Sequence, residues 1–174
     1  MKIHSVLISN YKGLNLSINL SDGINVITGE NGSGKSNILE AIRFALGEDI
    51  SFKSNAITNN RNFAIIKVVL ANKSLLLDKY SILKKLYRSG NVKTYFSDDL
   101  PENIDCLLLD YDSHCFMNQE KLQKFINELK EKSKDTQAII VSQSKEIIDL
   151  ADCVFKTQRV RNGYTVNTQN KAVA

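Results

Sequence analysis

With 174 residues, 43% of them hydrophobic and 24% charged, the chain has the composition of a globular domain long enough to bury a core without disulfides or metals. Its 23 Lys and Arg against 19 Asp and Glu give a formal charge of +4, a mild excess that reads first as a solvated Lys-rich surface and leaves contact with nucleic acid open. No apolar run approaches the roughly 20 residues of a membrane span, and "MKIHSVLISN" holds no signal core, so a cytoplasmic protein with no membrane partner is expected.

In chain order, "IHSVLISN" and "LNLSINLSDGINVITG" predict strands separated by turns at Lys12-Gly13 and Asp22-Gly23. Val6 and Ile8 alternate with Ser5, Leu7 and Ser9. "INVIT" runs directly into a glycine-rich loop. "KSNILEAIRFALG" follows with Ile38, Ala41, Ile42 and Ala45 at helical spacing and Gly47 as a C-terminal stop. Residues 48–62 are polar and predict a loop. "FAIIKVVLAN" predicts a strand, and "YSILKKLYRSGNVKTYFSDD" a hairpin turning at Gly90-Asn91, with helix as the alternative for its first half. "DLPEN" carries the sole proline and marks a boundary.

In the last third, "IDCLLLD" predicts a buried strand ending in Asp110. "NQEKLQKFINELKEKSKD" predicts an amphipathic helix with Leu122, Phe125, Ile126 and Leu129 on one face. "TQAIIVSQ" is a second buried strand, "KEIIDLA" a short helix, and "DCVFKTQRVRNGYTVNTQ" a hairpin turning at Asn162-Gly163. Strands alternating with helices imply a parallel sheet, and the hairpins an antiparallel portion beside it: an α/β class, as one domain over 1–174. Cys106, Cys115 and Cys153 form no CxxC pair and are expected as free thiols of a reducing compartment, not as a zinc site.

The stretch "GENGSGKSN" places Gly29, Glu30, Asn31, Gly32, Ser33, Gly34, Lys35, Ser36 and Asn37 between a strand and a helix. Glycines at this spacing let backbone N–H groups turn toward phosphate oxygens, and the helix N-terminus adds partial positive charge. Lys35 is expected to reach the β and γ phosphates, and the Ser36 hydroxyl to ligate magnesium. Asp110, closing an apolar strand, is the candidate carboxylate for the magnesium shell. Lys156, Arg159, Arg161 and Tyr164 in the terminal hairpin, and Lys84, Lys85 and Arg88, read as solvated faces, with a nucleic-acid backbone as the alternative.

At these residues the chain resembles a family. "MKIHSVLISNYKGL…SDGINVITGENGSGKSNILEAIRFALGE" resembles the N-terminal half of the ATPase head of SMC proteins (structural maintenance of chromosomes) and is similar to RecF and RecN. The likeness includes Asn37 after "GKS", the "AIRFALGE" helix, and the hairpin "LKKLYRSGNVKTYFSDD". "IDCLLLDYDSH", "TQAIIVSQSKEIIDLADCVF" and the closing hairpin look like the C-terminal half. The resemblance implies a P-loop ATPase head of the ABC type, an N-terminal half at 1–97 and a C-terminal half at 104–174. It implies ATP, rather than GTP, and Mg2+ as cofactors.

It also implies what departs. SMC proteins carry a hinge and coiled-coil arms between the halves; here "SDDLPEN" joins them nearly directly, and neither a glutamine loop nor an LSGGQ-like signature stands between. A homodimer would not complete the γ-phosphate site in the family's usual way. The family's Asp-Glu is here Asp110-Tyr111, and a phenol is a poor base at neutral pH. Asp112 would point differently. "SHCFM", with His114, keeps little of the family's following turn, and Gln143 stands in the switch position.

These departures favour an ATP-binding switch or scaffold with slow or absent hydrolysis, in chromosome, DNA or cytoskeletal organisation, working as a homodimer or with a DNA or protein partner. Three alternatives stand beside it: an ATPase completed by a partner, a DNA-associated module that no longer uses nucleotide, and an arcadin-type accessory of an archaeal actin-like cytoskeleton. A small-molecule kinase is disfavoured, because Arg43, Arg61, Arg88, Arg159 and Arg161 form no lid-like cluster.

Overall fold

The computed structural model describes residues 1–48, 56–72, 75–97, 103–111, 118–161 and 163–170. In chain order the elements are β1 (Lys2–Tyr11), β2 (Leu14–Asn19), β3 (Ile24–Gly29), α1 (Lys35–Ala45), β4 (Phe63–Asn72), β5 (Leu75–Tyr87) and β6 (Val92–Phe96). There follow β7 (Cys106–Asp110), α2 (Gln119–Lys132), β8 (Gln137–Val141), α3 (Lys145–Leu150), β9 (Cys153–Val160) and β10 (Gly163–Asn170).

The strands join in one sheet of order β6-β5-β4-β1-β2-β10-β9-β3-β8-β7. β9, β3, β8 and β7 run parallel to one another. β6, β5, β4, β1 and β2 form an antiparallel block. The two blocks meet where β10 lies parallel to β2, with Tyr164 opposite Leu14. The halves of the chain are interleaved: β3 sits between β9 and β8, and β10 beside β2.

Each face of the parallel block is covered. α1 buries Ile38, Leu39, Ala41, Ile42, Phe44 and Ala45 in a core that runs under the antiparallel block. On the other face, α2 and α3 cover Val26, Ala138 and Ile140 with Leu129 and Ile147, and with Leu122 and Phe125 packed alongside. β8, enclosed on both sides, is buried at all five positions, as an interior parallel strand should be.

β1 alternates only in its middle. Register shifts between Ile3 and Ser5 and between Ser9 and Tyr11 rephase its ends, so Ile3, Val6, Ile8 and Tyr11 all face the core. The second shift falls at Asn10, which has φ 58°. The stretch "YSILKKL" is strand, not helix. Its Ile82 and Leu86 suit either period, and pairing with β4 (Val68 with Ile82, Ala64 with Leu86) decides between them.

One expectation is corrected. β7 is apolar in sequence but half-buried at all five positions, because it forms the sheet's edge. The Asn162 side of the hairpin turn, the loop at 49–55, the boundary at 98–102 with Pro101, and Asp112, His114 and Cys115 lie outside the described residues.

Candidate nucleotide-binding site

β3 ends at Gly29, and α1 begins at Lys35 with Gly34 as its N-cap at φ 93°, ψ 6°. No side chain caps this end, and the first turn of α1 holds no acidic residue. The other long helix is finished differently: in α2 the side chain of Asn118 accepts from the Lys121 N–H, and Glu120 lies in the first turn. The first N–H groups of any helix lack intrahelical acceptors and carry partial positive charge. At α1 that charge is left to something other than a residue of the helix itself.

The loop needs its first glycine for two reasons. Gly29 has φ 147°, and a Cβ there would collide with the carbonyl and hydroxyl oxygens of Thr157. Gly32, at φ 76°, has open space around it, so the tip of the loop is free to accept a ligand close to its backbone.

Neighbouring strands pin the loop. Thr157 of β9 lies opposite Gly29, and its hydroxyl donates to the Thr28 carbonyl at 3.0 Å. The Ser33 hydroxyl meets the same Thr157 oxygen at 2.6 Å. A threonine hydroxyl has one proton, so Ser33 is the donor in that pair. The Ser33 N–H donates to the Glu30 carbonyl at 3.1 Å. Lys35, only 6% exposed, folds back over the loop and donates to the carbonyls of Gly29 at 2.8 Å and Glu30 at 3.1 Å. Gln143, just past β8, donates to the Gly29 carbonyl at 3.0 Å and to Asn31 Oδ1 at 2.8 Å.

The carboxylate candidate lies at the same edge of the sheet. Asp110 is paired with Val141 of β8, and Val141 with Ile27 of β3, so the carboxyl ends of the three strands stand together. Asp110 is half-buried, and its Oδ1 is shielded from solvent. Leu108 packs on the α1 side and Leu107, Leu109 and Tyr111 on the α2–α3 side, so strand alternation puts Asp110 on the side of α1 and Ser36. Arg43 of α1 donates to the Leu108 carbonyl at 2.8 Å, fixing the helix to this strand. Ser36 is exposed and Asn37 half-buried in the first turn of α1.

Tyr111 faces away from this cluster. Its ring lies on that of Phe125, and burial, then the charge of Glu146, raises its pKa above the ordinary phenol value.

Two hollows flank the loop. One, of about 250 Å³, is lined by residues 31–37 and Tyr164. The other, of about 310 Å³, lies between Glu30, Asn31 and Ser33 and residues 156–159. The hairpin residues grouped in sequence are thus divided, Tyr164 to one hollow and Lys156 and Arg159 to the other. Lys84 and Lys85 are engaged in packing, with Nζ 4.4 Å from the Phe44 ring centroid and 4.0 Å from that of Phe63. Arg88 donates to the Arg61 carbonyl at 2.9 Å. No motif ties Thr157 or Tyr164 to the loop; their places come from strands that pair far along the chain.

A parallel sheet with helices on both faces, a glycine loop between strand and helix, and an antiparallel block at one side define the α/β fold of P-loop ATPase heads. Residues 5–170 match the family described as AAA domain, and the chain belongs to that family, as an SMC/RecF-type ABC ATPase head. It is 36% identical over 128 residues to the chromosome partition protein Smc of Lactiplantibacillus plantarum, a match covering 63% of this chain and 10% of that protein. It is 37% identical over 79 residues to the DNA replication and repair protein RecF of Clostridium botulinum, covering 43% of this chain and 22% of that protein. Both matches therefore span well under two thirds of these relatives. Among solved structures, the SMC head domain from Thermotoga maritima aligns with TM-score 0.78 at 16% identity, covering 98% of this chain and 100% of that one. An Smc head bound to the C-winged helix domain of ScpA aligns with TM-score 0.83 at 14% identity, covering 99% and 98%. These structural likenesses show the fold. No described helix is long and apolar enough to cross a membrane.

Proposed function

We propose that the chain is an ATP-binding head that serves as a nucleotide-gated switch or scaffold with slow or absent hydrolysis, acting in chromosome or DNA organisation. The observation that carries this reading is the uncapped N-terminus of α1, with no acidic residue in its first turn and Lys35 folded onto the loop before it. The residues present suit a polyphosphate. Gly32 leaves room for close approach, and the helix end favours negative charge. The Lys35 ammonium lies over the loop against the carbonyls of Gly29 and Glu30, where a phosphate held by the loop would meet it. Residues 29–37 would hold the nucleotide, and Ser36 and Asp110 would hold Mg2+, a hard cation matched to hydroxyl and carboxylate oxygens. The metal would offset phosphate charge.

The slow-hydrolysis part rests on Tyr111. The position where the resembled family has a glutamate carries a phenol packed on Phe125, away from Asp110. Interleaving of the two chain halves in one sheet supports a single domain over 1–174. A head of similar fold is bound to a domain of ScpA, which supports a protein partner for this chain, with self-association and DNA as the other candidates.

Calorimetry with Mg-ATP on the full chain and on Lys35→Ala, followed by a phosphate-release assay, tests the proposal. Binding that Lys35→Ala abolishes, with turnover far below that of an intact SMC head, is expected. No binding removes the nucleotide reading; turnover equal to such a head removes the switch reading and leaves the binding.

A further inference from the structure

The sheet ends at β6, and among the described residues no strand pairs with its outer edge. All its side chains are exposed, with Val92, Tyr95 and Phe96 at 42%, 50% and 53%. The Tyr87 N–H donates to the Asn91 carbonyl at 2.9 Å, and the Ser97 N–H to the Ser81 carbonyl at 3.1 Å, one at each end of the β5–β6 ladder. Antiparallel strands alternate hydrogen-bonded and non-bonded pairs. Lys93 and Tyr95 therefore turn their backbone groups toward β5, and Val92, Thr94 and Phe96 turn theirs outward. Those outward N–H and carbonyl groups form an open template for another strand. The side chains are sorted by face. Val92 and Phe96 lie opposite Leu86 and Ile82, on the face that carries the core. Lys93 and Tyr95 lie opposite Lys85 and Leu83, on the other face. Lys85 and Lys93 make a like-charge pair, with the Tyr87 ring 5.2 and 5.8 Å from their Nζ atoms.

We propose that this edge is the contact between two copies of the chain, joined antiparallel about a two-fold axis at Thr94. In that register Thr94 faces Thr94 of the second copy, Val92 faces its Phe96, and Lys93 faces its Tyr95. Every outward backbone group of β6 then finds a partner, because the bonded pairs are those formed by Val92, Thr94 and Phe96. On the core face, the rows Leu86–Val92 and Ile82–Phe96 continue into Phe96 and Val92 of the second copy, covering apolar side chains that each copy leaves exposed. On the other face, each Lys93 gains an aromatic ring in a closely spaced, non-bonded pair. A shift of two residues one way sets Lys93 against Lys93; the other way, Val92 falls beyond the end of the facing strand. The strand is thus its own complement, as a two-fold interface requires. β5, β4, β1, β2, β10 and β9 separate this edge from β3 and its loop, so the contact goes beyond the nucleotide reading and does not depend on it.

Sedimentation equilibrium of the full chain, with and without Mg-ATP, is the experiment. So short a strand buries less than the roughly 1,200 Å² of a stable complex, so a reversible dimer with Kd on the order of 10–100 μM is expected, the same with and without Mg-ATP. Thr94→Pro removes the central donor at a position whose N–H faces away from β5. It should weaken the dimer about tenfold or more and leave the far-UV circular dichroism of the chain as in wild type. Tyr95→Lys, which sets like charges face to face, should weaken the dimer similarly, and Lys93→Glu combined with Tyr95→Lys in one chain should restore it. A wild type that stays monomeric at about 300 μM overturns the inference. So does a dimer that forms only with Mg-ATP, which would put the contact at the loop, and so does a dimer that a folded Thr94→Pro leaves intact. A dimer indifferent to Tyr95→Lys, or not restored by the double change, overturns it as well, and this pair decides alone if Thr94→Pro does not fold.

Discussion

Tyr111 stacks on Phe125, with ring centroids 5.0 Å apart and planes inclined by 25°. The contact closes the apolar cluster between β7 and α2, and it is made through the ring, not the hydroxyl. Tyr111→Phe keeps the stack and is therefore expected to cost less stability than Tyr111→Ala and to leave any residual ATP turnover unaltered. Tyr111→Ala should lower stability by about 1–2 kcal/mol through loss of the stack and of apolar contact. Urea unfolding and phosphate release read the two effects. A fall in turnover for Tyr111→Phe would show the phenol taking part in hydrolysis and contradict its structural role.

The Thr157 hydroxyl links the strand before the loop to the loop itself, through Thr28 and Ser33. Thr157→Val keeps the shape of the side chain and removes both bonds. It leaves the Thr28 carbonyl and the buried Ser33 hydroxyl to find new partners, at a cost of about 1–3 kcal/mol. Nucleotide affinity should fall as well, by about tenfold, a loss of about 1.4 kcal/mol, since the loop is no longer held in register. Thermal melting with and without Mg-ATP measures both. An unchanged melting temperature would show that neither bond matters to the loop.

Gly29→Ala tests the crowding under the loop. The backbone lies in a region that L side chains avoid, and the new methyl group would meet the oxygens of Thr157. Both sources of strain act in the same place, so a loss of about 2–4 kcal/mol is expected. Gly32→Ala meets no atom within 4 Å, and only its φ of 76° opposes the change. Its loss should be about 1 kcal/mol. Equal losses in urea unfolding would refute the crowding argument.

The strand, loop and first helix are legible in the sequence because their signals are local. Gly29 to Ser36 occupy one short stretch, and Ile38, Ala41, Ile42 and Ala45 repeat at the helical period. The surroundings of the loop are not legible there. Thr157 reaches it through the pairing of β9 with β3, and Tyr164 through the pairing of β10 with β2, both between residues more than a hundred positions apart. Apolar content identifies β7 as a strand but not as an edge, because burial depends on neighbours that composition does not name. Alternation in β1 is visible in its middle and lost at its ends, where the register shifts bring residues three apart onto one face.

The last prediction concerns pH. Tyr11 is fully buried, and its hydroxyl donates to Glu40 Oε1 at 2.6 Å, while Lys12 holds both oxygens of that carboxylate at 2.6–2.7 Å. Burial first, then the hydrogen bond and charge of Glu40, raise the Tyr11 pKa above its ordinary value of 10.0. Burial also pushes the Cys106 thiol from 9.0 up to about 12. Well below pH 9 both groups are protonated whether the chain is folded or not, and neither makes stability depend on pH. Above it the unfolded chain releases protons that the folded chain retains. Stability therefore falls as pH rises, by up to about 1.4 kcal/mol per pH unit for each group, until the folded group itself titrates. Cys106→Ala should flatten the decline between pH 9 and about 12, and Tyr11→Phe the decline above pH 10. Tyr11→Phe should in turn cost about 1–2 kcal/mol at neutral pH through the lost bond to Glu40. Urea midpoints for the three proteins, measured at neutral pH and in steps through the alkaline range, decide it. Parallel curves would mean that neither buried group controls alkaline stability.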